Sequence, residues 1–246
     1  MAKETNMFQD QNIVAKAKSI YKKMGLLGVI VATSRLIILY LSSLFWYPYI
    51  HLRGNKFQFQ GRQYEYFFHF YNLTWRNERT VEIPIARQIV KEWRGKQILE
   101  VGNVLSHYFS FEHDIVDKYE RGKGVINQDI VDFRPNHKYD LIVSISTLEH
   151  VGWDEVPREN RKIFKAIRNL RESLSSGGKM FITLPLGQNK ELDDLLERGE
   201  LRFPEQYYLA KVSRTNKWQQ TDWARAKESS AKYQNGAVVI CVLDNN

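Results

Sequence analysis

The chain holds a single cysteine, Cys241, in 246 residues. No internal disulfide and no cysteine-cluster metal site can form from one thiol. That fits a reducing compartment, and the expected location is cytoplasmic, either free or held peripherally or by an anchor at the membrane's cytoplasmic face. No secretory signal is read: the first apolar run starts late, and no small-residue cleavage site follows it. Internal repeats and low-complexity tracts are missing. No set of His, Cys, Asp and Glu has convincing metal-ligand spacing, so no metal is expected. A further absence concerns the first glycine loop, Gly102-Asn103-Val104-Leu105-Ser106, which contains one glycine. A dinucleotide-binding turn wants G-x-G-x-x-G, so a dinucleotide-dependent oxidoreductase is disfavoured.

What the chain does have is apolar content of 43% and charged content of 26%. Those values belong to a globular protein. At this length the chain can build one α/β domain with a sizeable core plus an appendage. The formal net charge of +8 is uneven. Residues 1–60 hold eight Lys/Arg against Glu4 and Asp10, whereas the remaining 186 residues hold 28 Lys/Arg against 26 Asp/Glu. A strongly basic protein invites a nucleic-acid reading. The near-neutral body makes a nucleic-acid partner unlikely by that criterion, because the excess charge sits in the N-terminal appendage.

In that appendage, residues 1–55, Ile13, Val14, Ala17, Ile20, Tyr21 and Met24 recur at helical spacing, with Lys16, Lys18, Lys22 and Lys23 mostly on other faces. The pattern is a short basic amphipathic helix. An apolar stretch follows from Leu26 to Ile50, with Arg35 as its one charge. Three readings stay open. A spanning helix needs about 20 apolar residues, and the length suffices; an arginine near its middle costs roughly 2.5–3.5 kcal/mol. An interfacial helix would set the lysines against an anionic membrane surface and Phe45-Trp46-Tyr47-Pro48-Tyr49 at the boundary. The third reading is helix packing on the protein itself or on a second copy, as a homodimer through residues 25–42. Gly25, Gly28, Ala32, Arg35, Leu39 and Ser42 share one stripe, and small residues there permit close helix contact.

From residue 97 the chain alternates strand-length apolar runs with helical segments. The expected strands are 97–101, 115–117, 124–127, 141–145, 179–184, 207–212 and 237–243. A helix is expected over 157–175, with Ile163, Phe164, Ile167, Leu170 and Leu174 on one face and Ser176-Gly177-Gly178 ending it. Continuous apolar strands interleaved with helices imply a mostly parallel sheet covered on both faces. The last two strands, lacking a long helix between them, are expected to pair antiparallel at one edge. Ligands of such sheets bind beyond the carboxyl ends of the strands. The strand ends carry Glu100-Val101-Gly102-Asn103, then Asp117, then Asp129-Ile130, then Ser146–His150, then Pro185-Leu186-Gly187. Gly102 permits close backbone approach. An acid after the second strand accepts ribose hydroxyls, and an acid after the third accepts an adenine amine. A glycine and two spaced acids, each at a strand end, suit an adenosine moiety.

These residues resemble a family. Ile98–Tyr108 (ILEVGNVLSHY) looks like the first motif of class I S-adenosylmethionine-dependent methyltransferases. HDIVDKYE, INQDIVDF, YDLIVSISTLEHVGWDE and GGKMFITLPLG are similar to the following motifs, the fourth-strand segment to that of the branch with an EHVG signature. The resemblance spans residues 56–246, the methyltransferase domain, including NERTVEIP (77–84). It implies a Rossmann-like seven-stranded sheet, mostly parallel with an antiparallel last strand. It implies S-adenosyl-L-methionine as cofactor, with Gly102 beneath its methionine part, Asp117 at the ribose and Asp129 at the adenine. Glu100, Asn103, Ile130 and Ser146 complete the expected cofactor set, and Glu120 rivals Asp117. The single glycine of the first loop departs from the family pattern and leaves the loop's contacts open.

Amino-group methyltransferases acting on bases or peptide amides commonly show an Asn/Asp-Pro-Pro-aromatic turn after the fourth strand. Ser146-Thr147-Leu148-Glu149-His150 stands there instead. That favours an oxygen on a small-molecule, glycan or lipid-linked acceptor. A hydroxyl acceptor benefits from a general base; His150, His107 and Glu149 are the candidates, with Asp154 and Glu78 as further carboxylates. Tyr71, Arg79 and Asn189 are expected near the acceptor. The aromatic-rich segment 57–75 is either a lid or core. Two rival functions remain: a non-catalytic adenosine-binding scaffold, kept open by the altered first loop, and a nucleic-acid methyltransferase using the basic N-terminus.

Overall fold

The computed structural model describes residues 18, 21, 22, 24–34, 37, 38, 41, 42, 44, 48 and 56–245. The chain divides into two compact units, Met1–Gly54 and Asn55–Asn246. In the first, residues 24–34 are helical. Ile13, Val14, Lys16, Ala17, Ile20, Lys23, Arg35, Leu39 and the run Phe45-Trp46-Tyr47 lie outside the described residues. No helix among the described residues is long and apolar enough to cross a membrane.

The second unit opens with a hairpin of β1 (Lys56–Phe59) and β2 (Arg62–Glu65), followed by a 3-10 segment at Tyr71–Arg76 and helix α1 (Arg79–Glu92). Then come β3 (Ile98–Val101), β4 (Asp114–Val116), β5 (Val125–Ile126), β6 (Tyr139–Ile145), α2 (Lys162–Ser173), β7 (Leu174–Pro185), α3 (Lys190–Glu197), β8 (Glu205–Lys211), β9 (Trp218–Thr221), α4 (Trp223–Lys232) and β10 (Ala237–Asn245). The main sheet has the order β5-β4-β3-β6-β7-β10-β8-β9. Its first five strands run parallel. β10 is antiparallel to both neighbours, β7 and β8. The fold is Rossmann-like, mostly parallel with an antiparallel final strand.

Alternation along each central strand builds two cores. Leu141, Val143 and Ile145 of β6 face α1 and the hairpin; Ile142 faces α2. Val238 and Ile240 of β10 likewise face the first side, Val239, Cys241 and Leu243 the second. Successive strand side chains point to opposite faces, and both faces are covered. This is why the sequence reads as unbroken apolar runs.

Three expectations change. The sheet has eight strands among the described residues, one more than the resemblance implies. The extra strand is β9, an edge strand that pairs antiparallel with β8. Trp218-Gln219-Gln220-Thr221 carries no apolar run because only Trp218 is buried. β8 and β10 do pair antiparallel, but helix α4 lies between them in sequence and β10 is internal. The expected helix over 157–175 is the shorter α2. Arg161 at φ +62 interrupts the chain before it, and Ser176-Gly177-Gly178 belongs to β7. Gly177 turns at φ +70, and a Cβ on Gly178 would sit 3.0 Å from the Tyr139 carbonyl oxygen. Those glycines therefore shape the irregular start of a strand rather than a helix cap.

The aromatic segment is largely core. Phe57, Phe59 and Trp75 are buried, and Phe59 meets Tyr207 of β8 edge-on at 5.6 Å. A proline explains how the segment docks. Pro84 lies inside α1 and has no N–H to offer the Thr80 carbonyl. That carbonyl accepts from Phe67 N–H instead, at 2.9 Å.

Candidate functional site

Sheet order reverses between β3 and β6: from β3 the chain moves outward to β4 and β5, and then returns to β6 on the other side. Loops leaving β3 and β6 thus diverge, and a crevice opens at the switch point. A cleft of about 420 Å³ occupies that place, lined among others by Gly102, Asp117, Asp129, Ile130, Thr147 and His150. Its volume suits a small organic ligand.

The floor is set by Gly102. Its φ is +86, and a Cβ there would overlap the Thr147 side chain. Glycine is required twice, by the left-handed backbone and by the contact between the loops after β3 and β6. The rest of the first loop needs no glycine, because a carboxylate holds it. Glu100 Oε1 accepts from Val104 N–H at 2.8 Å and Leu105 N–H at 2.6 Å, opening the 3-10 turn Leu105–His107. Asn103 is tied on two sides: its N–H donates to Asp117 Oδ2 at 3.1 Å, and its Nδ2 donates to Glu120 Oε1 at 2.7 Å.

The acids at the strand ends are arranged as follows. Asp117 Oδ1 accepts from the N–H groups of Tyr119 at 2.8 Å and Glu120 at 2.7 Å, so three backbone donors hold its carboxylate. Glu120 lines the same cleft. Asp129 belongs to an ion-pair tetrad that the sequence reading missed. Lys118 Nζ lies 2.8 Å from Asp129 Oδ2 and 3.0 Å from Glu155 Oε1; Lys162 Nζ lies 2.6 Å from Asp129 Oδ2 and 2.7 Å from Glu155 Oε2. Desolvation opposes charge on all four groups, and the mutual hydrogen bonds outweigh it. Both acids are held below, and both lysines above, their ordinary ranges. Lys118 stood directly after Asp117 in sequence, but nothing local announced that Lys162 and Glu155 would converge on Asp129.

His150 opens onto the cleft from the turn Leu148–His150 and is 47% exposed in its side chain. Its Nδ1 lies 2.6 Å from Asp154 Oδ2, and its Nε2 lies 3.5 Å from Glu149 Oε1. Glu149 itself points inward, is buried, and neither carboxylate oxygen accepts a hydrogen bond. It faces a buried charged group formed by Glu78, Arg79 and Glu82. Burial raises Glu149 well above the usual carboxylate range, against the pull of its own N–H and of Arg79. Burial, followed by the nearby Glu82 carboxylate, raises Glu78 to about 7.

The remaining expected site residues are committed to the scaffold. Arg79 Nη1 reaches Glu82 Oε2 at 3.3 Å and donates to the Ile145 carbonyl at 3.1 Å. Ser146, at φ +38, donates its hydroxyl to Glu82 Oε1 at 2.6 Å. Asn189 caps α3 by accepting from Leu192 N–H at 3.0 Å, and its Nδ2 donates to the Glu149 carbonyl at 2.7 Å. His107 stacks on Tyr71 with centroids 4.4 Å apart, and its Nε2 lies 2.9 Å from Glu120 Oε1 without hydrogen-bond alignment. The structure thus brings Gly102, Asp117, Asp129, Ile130 and His150 to one cleft and places Tyr71 and His107 beside Glu120. Glu149, Arg79, Ser146 and Asn189 form the packing behind it. Among the described residues no group of His, Cys, Asp and Glu is arranged to hold a metal.

No protein-family model and no curated protein matches the chain. Solved structures do. The N-methyltransferase NodS from Bradyrhizobium japonicum WM9, in complex with S-adenosyl-L-homocysteine, is 14% identical over 69% of this chain and 93% of its own, with a TM-score of 0.39. An rRNA methylase from Streptococcus thermophilus is 10% identical over 67% of this chain and 97% of its own, with a TM-score of 0.41. A TehB-like SAM-dependent methyltransferase from Corynebacterium glutamicum ATCC 13032 Kitasato is 18% identical over 65% and 86%, with a TM-score of 0.41. Likeness at this level concerns architecture and transfers neither a residue role nor an acceptor.

Proposed function

We propose that this protein is an S-adenosylmethionine-dependent methyltransferase acting on a hydroxyl of a small-molecule, glycan or lipid-linked acceptor. One observation carries the reading: Gly102, Asp117, Asp129 and His150, from the ends of four different strands, line a single cleft at the switch point of the sheet.

The donor set fits the cofactor. A carboxylate offers about four lone-pair sites. Asp117 spends three on backbone N–H groups, which leaves one for a ribose hydroxyl. Two hydroxyls need two acceptors, and Glu120 on the same wall supplies the other. Both rival acids therefore serve. Asp129 receives two lysines on Oδ2 and the Val131 N–H on Oδ1 at 3.2 Å, leaving an Oδ1 site for an exocyclic amine. Gly102, with no Cβ on the cleft floor, and the loop held by Glu100 would hold the methionine part.

When bound, the cofactor supplies an electrophilic methyl group on a sulfonium. The chain's task is to align an acceptor oxygen with it and to take the acceptor's proton. Alignment alone supplies much of the acceleration in such displacements. His150 is placed for the proton: its ring opens onto the cleft, Asp154 holds Nδ1 at 2.6 Å, and Nε2, 3.5 Å from Glu149 Oε1, is the ring nitrogen left to take the proton. Glu149 lacks access and acts from behind. The Glu149-His150-Val151-Gly152 run supports assignment to the EHVG branch.

Calorimetry with S-adenosyl-L-homocysteine tests the cofactor reading. Micromolar binding that weakens at least about tenfold in both Asp117→Ala and Glu120→Ala is expected, one lost hydrogen bond to a charged group being worth about 1.5–3 kcal/mol. Absence of binding by the wild-type chain at millimolar ligand overturns it. Binding without methyl transfer across a panel of hydroxyl acceptors would favour the scaffold reading.

A further inference from the structure

The unit Met1–Gly54 differs from the rest of the molecule in what it shows to solvent. Met24, Leu26, Leu27, Ile30, Val31, Ile37, Ile38, Leu41 and Leu44 are 44–74% exposed. In Asn55–Asn246 the large apolar side chains that reach solvent are scattered, such as Tyr119, Val156 and Val212. Scattered exposure is ordinary, whereas a contiguous apolar patch marks an interaction surface. Residues 24–34, 37, 38, 41, 42 and 44 are helical. At 3.6 residues per turn, Leu27, Ile30, Val31, Ile38 and Leu41 fall within an arc of about 100°. Leu26, Ile37 and Leu44 widen that arc to about 140°, and Gly28 and Ala32 lie opposite it. No helix among the described residues is long and apolar enough to cross a membrane.

Charge decides what covers this face. From residue 11 to residue 54 this unit has no Asp or Glu, while Lys16, Lys18, Lys22, Lys23, Arg35 and Arg53 are all basic. Among these Lys18 and Lys22 are described as exposed. A second copy would set like charge against like with no acid in either segment to pair. An anionic lipid surface answers both features at once: its headgroups take the basic side chains, and the boundary with the acyl chains takes the apolar arc.

We propose that residues 12–50 lie in the plane of an anionic bilayer surface, with the Leu27–Ile30–Val31–Ile38–Leu41 arc inserted and the lysines on the headgroups. This rests on the N-terminal unit alone and stands or falls independently of the methyl-transfer reading.

Flotation of the full chain with phosphatidylcholine vesicles, with and without phosphatidylserine, tests it. Partition at least about tenfold stronger onto the phosphatidylserine vesicles, and falling with added salt, is expected. Two variants separate the contributions. Leu27→Asp/Ile30→Asp should lose flotation on both vesicle types. Lys18→Glu/Lys22→Glu should lose the preference for phosphatidylserine. Both should keep the wild-type circular dichroism spectrum, since the changed side chains are exposed. Equal partition onto neutral and anionic vesicles, or no flotation, overturns the proposal. Self-association in sedimentation velocity that Leu27→Asp/Ile30→Asp abolishes, without flotation, gives the face to a second copy and also overturns it. Resistance of membrane-bound chain to alkaline carbonate extraction overturns in-plane binding in favour of a span.

Discussion

Glu100 Oε2 lies 2.7 Å from His113 Nε2, and both side chains are almost wholly shielded from solvent. The other oxygen of the same carboxylate holds the first loop through Val104 and Leu105. One buried acid therefore joins the end of β3, the first loop and the approach to β4. Glu100→Ala leaves two backbone donors and a buried imidazole without their acceptor. A hydrogen bond to a charged group is worth about 1.5–3 kcal/mol. A loss of about 3 kcal/mol in urea unfolding is expected, with weakened S-adenosyl-L-homocysteine binding. Glu100→Gln keeps one acceptor oxygen and should lose about half as much.

Gly102→Ala meets two separate obstacles. An L-residue in the left-handed region costs of order 1–3 kcal/mol, and the new methyl overlaps the Thr147 side chain. Thermal denaturation should show a lowered midpoint, and calorimetry a strong loss of cofactor binding. Adding Thr147→Ala relieves the overlap and leaves the φ of +86 unchanged, so recovery should be partial. Full recovery would mean that backbone strain contributes nothing at this position.

His150 Nδ1 and Asp154 Oδ2 lie 2.6 Å apart, and the proposed mechanism makes them the base and its orienting carboxylate. General-base catalysis contributes about 10²–10⁴-fold. His150→Ala should lower kcat by at least about a hundredfold while leaving cofactor affinity near wild type. Asp154→Asn should lower kcat less, since the imidazole keeps its place on the cleft and loses only the carboxylate that orients it. An unchanged kcat in His150→Ala would remove it as the base.

Glu78 sets a pH dependence of stability. Its carboxyl stands at about 7 in the folded chain against an ordinary value of 4.5, through burial and the neighbouring Glu82. Between those values the unfolded chain has lost the proton that the folded chain still holds. Stability therefore falls as pH rises through the window, and the loss is complete above about 7. For this one group it amounts to about 3 kcal/mol as an upper figure. Glu78→Gln should flatten the decline measured by chemical unfolding between pH 5 and 8 and leave the variant more stable than wild type at the upper end. Glu149, raised in the same direction by burial, should preserve a residual slope.

Much of the sheet was legible because it is buried on both faces. The run at 237–243 is apolar without interruption, those at 98–101 and 141–145 are broken only by the buried Glu100 and Ser144, and a strand in that setting has no polar face to disguise it. β9 was not legible, since an edge strand with one buried tryptophan looks like loop. The glycines 177 and 178 misled for a related reason. A glycine after a helix reads as a cap, yet α2 ends on Leu174 in extended conformation, and the glycines serve the start of β7. Site residues divide in the same way. Gly102, Asp117, Asp129 and His150 line one cleft because each follows a strand, and strand ends in this topology share one crevice. Arg79, Asn189 and Ser146 also stood near strand or helix ends, but their polar groups are taken up by Glu82, Glu149 and the backbone.

The sequence by itself determined seven of the main sheet's eight strands, its mostly parallel polarity, the strand ends that line the cleft and the charge asymmetry of the N-terminal unit. All of these follow from local periodicity, from composition, or from topology rules that hold for any parallel sheet. Tertiary structure alone decided that Glu100 holds the first loop through Val104 and Leu105. It also decided that Lys118 and Lys162 converge on Asp129, and that Glu149 turns inward while His150 turns outward. Those facts depend on which side chains meet across β3, β4, β5 and β6, and on how burial balances hydrogen bonding at each carboxylate. Contacts between residues far apart in the chain leave no periodic trace in the sequence.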